Sequence, residues 1–342
     1  MSASVMLQRR LGVACKPERQ AAFVRPSVIT AQRLRGPASL LSERRSFAGA
    51  TAEPGPRPIE PCQSATASIP LSDSDATPEP NVLLSKIRAI AFFAWSFMLS
   101  LPLFMTMVVM SPFVLAFDKY RRLAQHFVNN IWACVSTAPF YRVTIEGREN
   151  LPPPDRPVVY VANHQSFLDI YSLFHLQRPF KFISKTSNFM IPIIGWSMFL
   201  TGHVMINRVD RRSQLKCLQQ CRDLLAQGAP VLFFPEGTRS LDCKLAGFKK
   251  GAFSVAVKAG VDVVPVTLIG TGALMPSGKE SQLRYGPGAR GVRIVVHPPL
   301  PTTTPGGGSR DADELCEAAR AAVASALPPE LVGSSSTMLP DE

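Results

Sequence analysis

PVVYVANHQSFLDIYSLF, residues 157–174, passes from an apolar, β-branched run into a stretch of helical character within a few residues. The run 157–162 reads as a buried strand and 166–176 as the helix that follows it. Asn163, His164 and Asp169 stand where the two meet. Two readings of that junction are open. It is a polar turn with Ser166 as the helix cap, or it is a general base with the carboxylate that orients it.

Outward from this junction the strand-then-helix pattern recurs. Short β-branched or aromatic runs at 141–145, 157–162, 180–183, 204–206, 230–234, 263–269 and 292–296 read as strands. Helices are expected at 211–227, with Asp210 as cap and Gly228 as stop, at 251–259 ending on Gly260, and at 311–327 beyond the break at Gly306–Gly308. Such alternation implies an α/β fold, a mostly parallel sheet flanked by helices. Ligands of such sheets bind at the carboxyl ends of strands, where His164 lies. A second polar cluster, Pro235-Glu236-Gly237-Thr238-Arg239-Ser240, follows the strand at 230–234 and falls at the same end. Gly237 lets a ligand approach the backbone closely, and Arg239 presents a rigid fork of donors suited to a phosphate. By itself this cluster is equally an ordinary turn with a surface arginine.

The 342 residues, 46% hydrophobic, suffice for one sizeable core with appendages. The net charge of +12 falls in two blocks. Residues 1–52 hold nine Lys and Arg against Glu18 and Glu43 alone, with Ser and Ala and no apolar segment of the kind a secretory signal needs, so they read as an organelle transit peptide. Composition does not separate plastid from mitochondrion. Residues 53–85 are rich in Pro, Ser, Thr and acid and read as a disordered linker. Residues 86–138 read as a membrane-associated helical segment, because 89–117 carry no charged side chain and are bracketed by Lys86, Arg88, Lys119, Arg121 and Arg122. At 1.5 Å rise per residue about 20 apolar residues cross a hydrocarbon core. Pro102 and Pro112 also allow a bent pair of helices that returns to the same face. Residues 139–330 form the catalytic domain in this reading, and 331–342 a polar tail. The second basic block, 140–300, does not alternate with aromatics and shows no nucleic-acid module. It suits anionic headgroups or an acidic partner.

NHQSFLD (163–169) together with FPEGTRS (234–240) resembles the glycerolipid acyltransferase family, whose first signature is NHxxxxD and whose third is FPEGTRS. TGHVMINR (201–208) and VVPVTL (263–268) resemble the other two signatures, and all four occur in the family's order across 141–299. The wording of 181–200 and 213–253 is most similar to the plastid type of 1-acylglycerol-3-phosphate acyltransferase, which favours a plastid membrane, the inner envelope, over the mitochondrion.

The resemblance implies that an acyl thioester, on acyl carrier protein (acyl-ACP) or CoA (acyl-CoA), is transferred to the sn-2 hydroxyl of lysophosphatidic acid to give phosphatidic acid. His164 would take the hydroxyl proton as oxygen attacks, and Asp169 would hold the other ring N–H and steady the imidazolium. Ser166 lacks a G-x-S-x-G elbow, so direct transfer is expected rather than a covalent acyl-enzyme. Arg239 and Arg208, with Lys185, would hold the phosphate. Gly237 and Thr238 belong to the same loop, and Glu236 is expected to tie that loop together. Asn207 and His203 depart from the usual second signature. Other expectations are an acyltransferase acting on glycerol 3-phosphate or another lysophospholipid, or a non-catalytic lipid-binding protein. Seven cysteines without a C-x-x-C pair, and no third ligand near His164 and Asp169, give no metal framework. Cys217 and Cys221 read as buried reduced thiols. No cofactor is expected beyond the acyl carrier, and the partners expected are the lyso-acid, the thioester and membrane lipids, with no nucleic acid.

Overall fold

Period-two alternation along each strand gives the sheet two apolar faces, and helices cover both. The computed structural model describes residues 81–285, 291–304 and 306–333. Residues 1–52, read as a transit peptide, most of the stretch read as a linker, and 334–342 lie outside the described residues. Seven strands, β1 Arg142–Glu146, β2 Val159–Ala162, β3 Lys181–Lys185, β4 Val204–Ile206, β5 Val231–Phe233, β6 Val263–Ile269 and β7 Gly291–Val296, form one sheet in the order β1-β7-β6-β2-β5-β3-β4. All neighbours are parallel except β6 and β7, so β7 and β1 run against the other five.

The first face carries Val158, Tyr160, Ala162, Phe182, Val264 and Val266. It packs against α1 (Val82–Phe117), α2 (Leu123–Thr137) and α3 (Leu168–Phe174). The second carries Val159, Val161, Val231, Phe233 and Val263. These meet α6 (Arg211–Ala226), α7 (Gly251–Ala259) and α9 (Ala312–Ser325). Each fully buried Val, Leu or Phe contributes roughly 1.5–3 kcal/mol, so the valines that alternate between the faces bind both layers to one sheet. Cys217 and Cys221 are buried, unbridged thiols on the inner side of α6.

Local chemistry sets the helix ends. Asp210 caps α6 by accepting from the N–H of Arg212 and Ser213, Asp311 caps α9, and Gly260 closes α7 in the left-handed region. Three boundaries differ from expectation. Helix α1 starts at Val82, inside the stretch read as linker, because Asn81 accepts from Leu84 N–H at 3.1 Å and no proline follows until Pro102. Helix α3 starts at Leu168, since the Ser166 hydroxyl reaches Leu168 N–H without Ser166 itself taking the N-cap position. Residues 331–333 are docked, not a free tail: Leu331 C=O accepts from Leu245 N–H and Gly333 C=O from Arg320.

Helix α1 runs unbroken through Pro102 and Pro112, so the prolines do not make the return. The chain turns at 118–122, where Arg122 is left-handed, and α2 packs back on α1. Trp95 donates to Val135 C=O and Trp132 to Ser96 C=O, one indole bond in each direction. Among the described residues α1 is the one helix long and apolar enough to cross a membrane, and only 17% of its most apolar window is buried, too little for a core helix.

Three α-helices were absent from the sequence reading: α4 (Thr186–Phe189) and α5 (Ile194–Thr201), between β3 and β4, and α8 (Thr271–Leu274), after β6. Helix α5 ends at Gly202 with φ +80°, and Gly202 and His203 N–H both return to Met198 C=O. The last carbonyls of α5 face basic side chains: Arg122 donates to Phe199 and Leu200, and Lys181, whose pKa burial lowers to about 7, donates to Thr201 at 2.8 Å. A side chain at position 202 would meet the Arg122 guanidinium at 3.1 Å. The turn between α1 and α2 is thereby clamped to the end of α5.

Candidate active site

Four neighbouring parallel strands each deliver one group just at or past the carboxyl end. In the order β2-β5-β3-β4 these are His164, the loop Glu236–Arg239, Lys185 and Arg208. Positions 75 residues apart in sequence, 164 and 239, are brought to one edge because their strands are hydrogen-bonded neighbours. His164, Lys185, Arg208, Thr238 and Arg239 all line one cavity of about 650 Å³. Its remaining wall is largely apolar and comes mainly from α1, α2, α3 and α5, including Phe104, Met107, Trp132, Ile170, Phe174 and Met198.

The junction of β2 and α3 is fixed by its polar residues. Asn163 bonds both the C=O and the N–H of Leu268, at 2.9 and 2.7 Å, locking the end of β2 to β6. His164 Nδ1 lies 2.7 Å from Asp169 Oδ2, and since a carboxylate only accepts, Nδ1 carries a proton; in the neutral ring the lone pair is then on Nε2. Asp169 is fully buried, and the same Oδ2 accepts from the N–H of Gln165 and Ser166 at 2.7 and 2.9 Å. The His164 ring stacks on Phe234, centroids 4.0 Å apart and planes 17° from parallel. Ser166 is sequestered: its hydroxyl donates to Met275 C=O at 2.6 Å and accepts from Leu168 N–H, with no exposed surface.

Glu236 holds backbone on both sides. One carboxylate oxygen accepts from His164 N–H at 2.7 Å, the other from Ala246 N–H at 3.1 Å, and Ser240 N–H returns to His164 C=O. Burial pushes its carboxyl up to about 7, against the lowering effect of those two N–H bonds. Gly237 adopts φ +80° in a turn whose N–H reaches Phe234 C=O; a β-carbon there would meet the Lys249 side chain at 3.2 Å. Arg208 is held below its ordinary value by burial and then by the charge of Arg239, so the two guanidinium groups press on each other. Arg239 Nη1 donates to Glu280 at 2.8 Å.

This arrangement can remove a proton at Nε2, hold an anion beside it, and shelter an alkyl chain in the apolar limb. The sequence reading named every cation at the cavity. It missed the Phe234 platform, Glu280 and the two amides on Asp169, and it noted His203 only as a departure from the second signature, without placing it in the cavity wall. His203 is buried, stacked on Phe182 and accepting its N–H. Phe234 was visible as the first residue of FPEGTRS, but nothing local marks it as a stacking partner. Among the described residues no group of three or more His, Cys, Asp or Glu could hold a metal ion.

The acyltransferase family model matches residues 142–269, the stretch from β1 through β6. A 1-acyl-sn-glycerol-3-phosphate acyltransferase of Chlamydomonas reinhardtii is 72% identical over 95% of this chain and 96% of its own length. A chloroplastic 1-acyl-sn-glycerol-3-phosphate acyltransferase of Arabidopsis thaliana is 51% identical over 73% of this chain and 67% of its own. The crystal structure of a 1-acyl-sn-glycerophosphate acyltransferase, PlsC, from Thermotoga maritima superposes with a TM-score of 0.58 at 27% identity, covering 71% of this chain and 96% of that one. With near-full-length identity of this order, matching both the sheet and the order of the site motifs, the chain belongs to the 1-acyl-sn-glycerol-3-phosphate acyltransferase family.

Proposed function

We propose that this protein acylates the sn-2 hydroxyl of 1-acyl-sn-glycerol 3-phosphate at a plastid membrane, drawing the acyl group from acyl-ACP or acyl-CoA. The observation that carries the reading is the single cavity joining a His–Asp pair, three cations and an apolar limb. His164 Nε2 takes the proton of the attacking hydroxyl as its oxygen bonds the thioester carbonyl carbon. Asp169 steadies the imidazolium. The C–S bond then breaks, and the proton passes from Nε2 to the departing thiolate, leaving ester and free thiol with no net proton change. Arg239, Arg208 and Lys185 hold the phosphate so that the hydroxyl reaches Nε2. The sequestered Ser166 supports transfer without an acyl-enzyme. The chloroplastic names of two relatives, about 50% identical, support the plastid, and the exposed flank of α1 supports membrane association. Residues 1–52 act as the transit peptide in this proposal.

The test uses purified full-length protein in detergent micelles with labelled acyl-ACP or acyl-CoA and a panel of acceptors. Lysophosphatidic acid should be acylated in preference to glycerol 3-phosphate and to zwitterionic lysophospholipids. Equal rates on all acceptors, or none on any, would reject the assignment.

A further inference from the structure

Arg239 makes its ion pair away from the cavity it lines. Its Nη1 donates to Glu280 Oε1 at 2.8 Å, while Glu280 is absent from the cavity wall and Arg239 is part of it. The carboxylate therefore holds the guanidinium from behind, and the contact uses one nitrogen of the fork, leaving Nε and Nη2 for a ligand. Glu280 is itself set by its loop: the same Oε1 accepts from Gly278 N–H at 3.2 Å, Gly278 has φ +78°, and Lys279 N–H closes the turn onto Pro276 C=O. Arg208 lines the same cavity as Arg239, and the charge of Arg239 adds to burial in lowering the Arg208 pKa. In a cavity without an anion, two such side chains repel, and a long, half-exposed arginine gains rotamer entropy by swinging into water. A fixed carboxylate behind Arg239 opposes both tendencies.

We propose that Glu280 is a positioning residue for acceptor binding. It keeps the Arg239 guanidinium beside Arg208 before substrate arrives, so that the phosphomonoester meets an ordered pair of donors. This rests on the reading of Arg239 as a phosphate ligand.

The experiment measures steady-state kinetics of full-length wild type, Glu280→Gln, Glu280→Asp, Arg239→Lys and the double variant Glu280→Gln/Arg239→Lys. The acceptors are lysophosphatidic acid and the neutral monoacylglycerol. Glu280→Gln should raise KM for lysophosphatidic acid about three- to fivefold, the size a pair this exposed can carry, with kcat nearly unchanged and the neutral acceptor unaffected. Glu280→Asp should restore part of the loss, and Glu280→Gln should add little once Arg239 is lysine. An unchanged KM overturns the proposal. So does a lower KM, which would make Glu280 a competitor of the phosphate, or an equal loss on both acceptors, which would make its role architectural. If Arg239→Lys itself leaves the lysophosphatidic acid KM unaltered, the phosphate reading fails. If Arg239→Lys raises that KM and Glu280→Gln does not, only the positioning role fails.

Discussion

His164 has three constraints on one imidazole: a buried carboxylate on Nδ1, an aromatic plate on its face, and Glu236 on its backbone N–H. His164→Ala should lower kcat by about 10²–10⁴-fold, the range general-base catalysis supplies, with thermal unfolding little changed. Rates measured beside a wild-type preparation of matched melting temperature check this. Arg239→Lys keeps charge but loses the fork, so kcat/KM for lysophosphatidic acid should fall about tenfold or more, while transfer to monoacylglycerol falls little. An equal drop on both would assign Arg239 to loop shape. Glu236 gives a pH signature. Its folded value of about 7 lies above the ordinary 4.5, so between those pH values the folded state binds more protons than the unfolded one. Wild-type stability should therefore fall, relative to Glu236→Gln, as pH rises from about 4.5 to 7, by about 3 kcal/mol in all, and level off above. Urea denaturation of both proteins across pH 4.5–8 measures the difference, and parallel curves would contradict it. At this scale NHQSFLD and FPEGTRS made the site legible because their residues are adjacent in sequence. Glu280, 41 residues from Arg239, was not, since only the fold brings them together.

Elements with their own end signals were read from sequence nearly residue for residue. The spans 204–206, 251–259 and 263–269 coincide with β4, α7 and β6, and Asp210 marks the start of α6. Helix α5 was illegible because SNFMIPIIGWSMFL is apolar on every side and offers no periodicity, with Pro192 interrupting it. The reversal of β7 has no local signature either, as strand direction is a tertiary property. The clamp at the end of α5 sets the next prediction. Arg122→Leu removes two bonds to α5 carbonyls and a favourable charge at its C-terminus, at a cost on the order of 3 kcal/mol. The variant should unfold at lower temperature and exchange amide hydrogens faster across α2 and α5 than across α7. Uniform exchange rates would show that the turn at 118–122 is held by other contacts.

Across the molecule, the cavity has two suppliers. The sheet provides the polar end, and helices α1, α2, α3 and α5 provide most of the apolar one. The acid-poor N-terminus was read as an address from composition alone, so its test is cellular. Residues 1–52 fused to a fluorescent reporter should direct it to plastids, with mitochondrial fluorescence correcting the compartment and cytosolic fluorescence rejecting the assignment.

Strand β5 lies between β2 and β3 although it follows β2, β3 and β4 in the chain. During synthesis His164 leaves the ribosome long before its neighbour strand exists. Until residue 233 has emerged, β2 and β3 have no common partner and present open edges. These inner pairings join distant segments, the kind of contact that forms slowly and leaves apolar surface uncovered meanwhile. A nascent chain halted before Val231 therefore carries His164 and Asp169 without the strand that joins β2 to β3. Its apolar α1 has by then already been made, with a flank that the rest of the fold leaves uncovered.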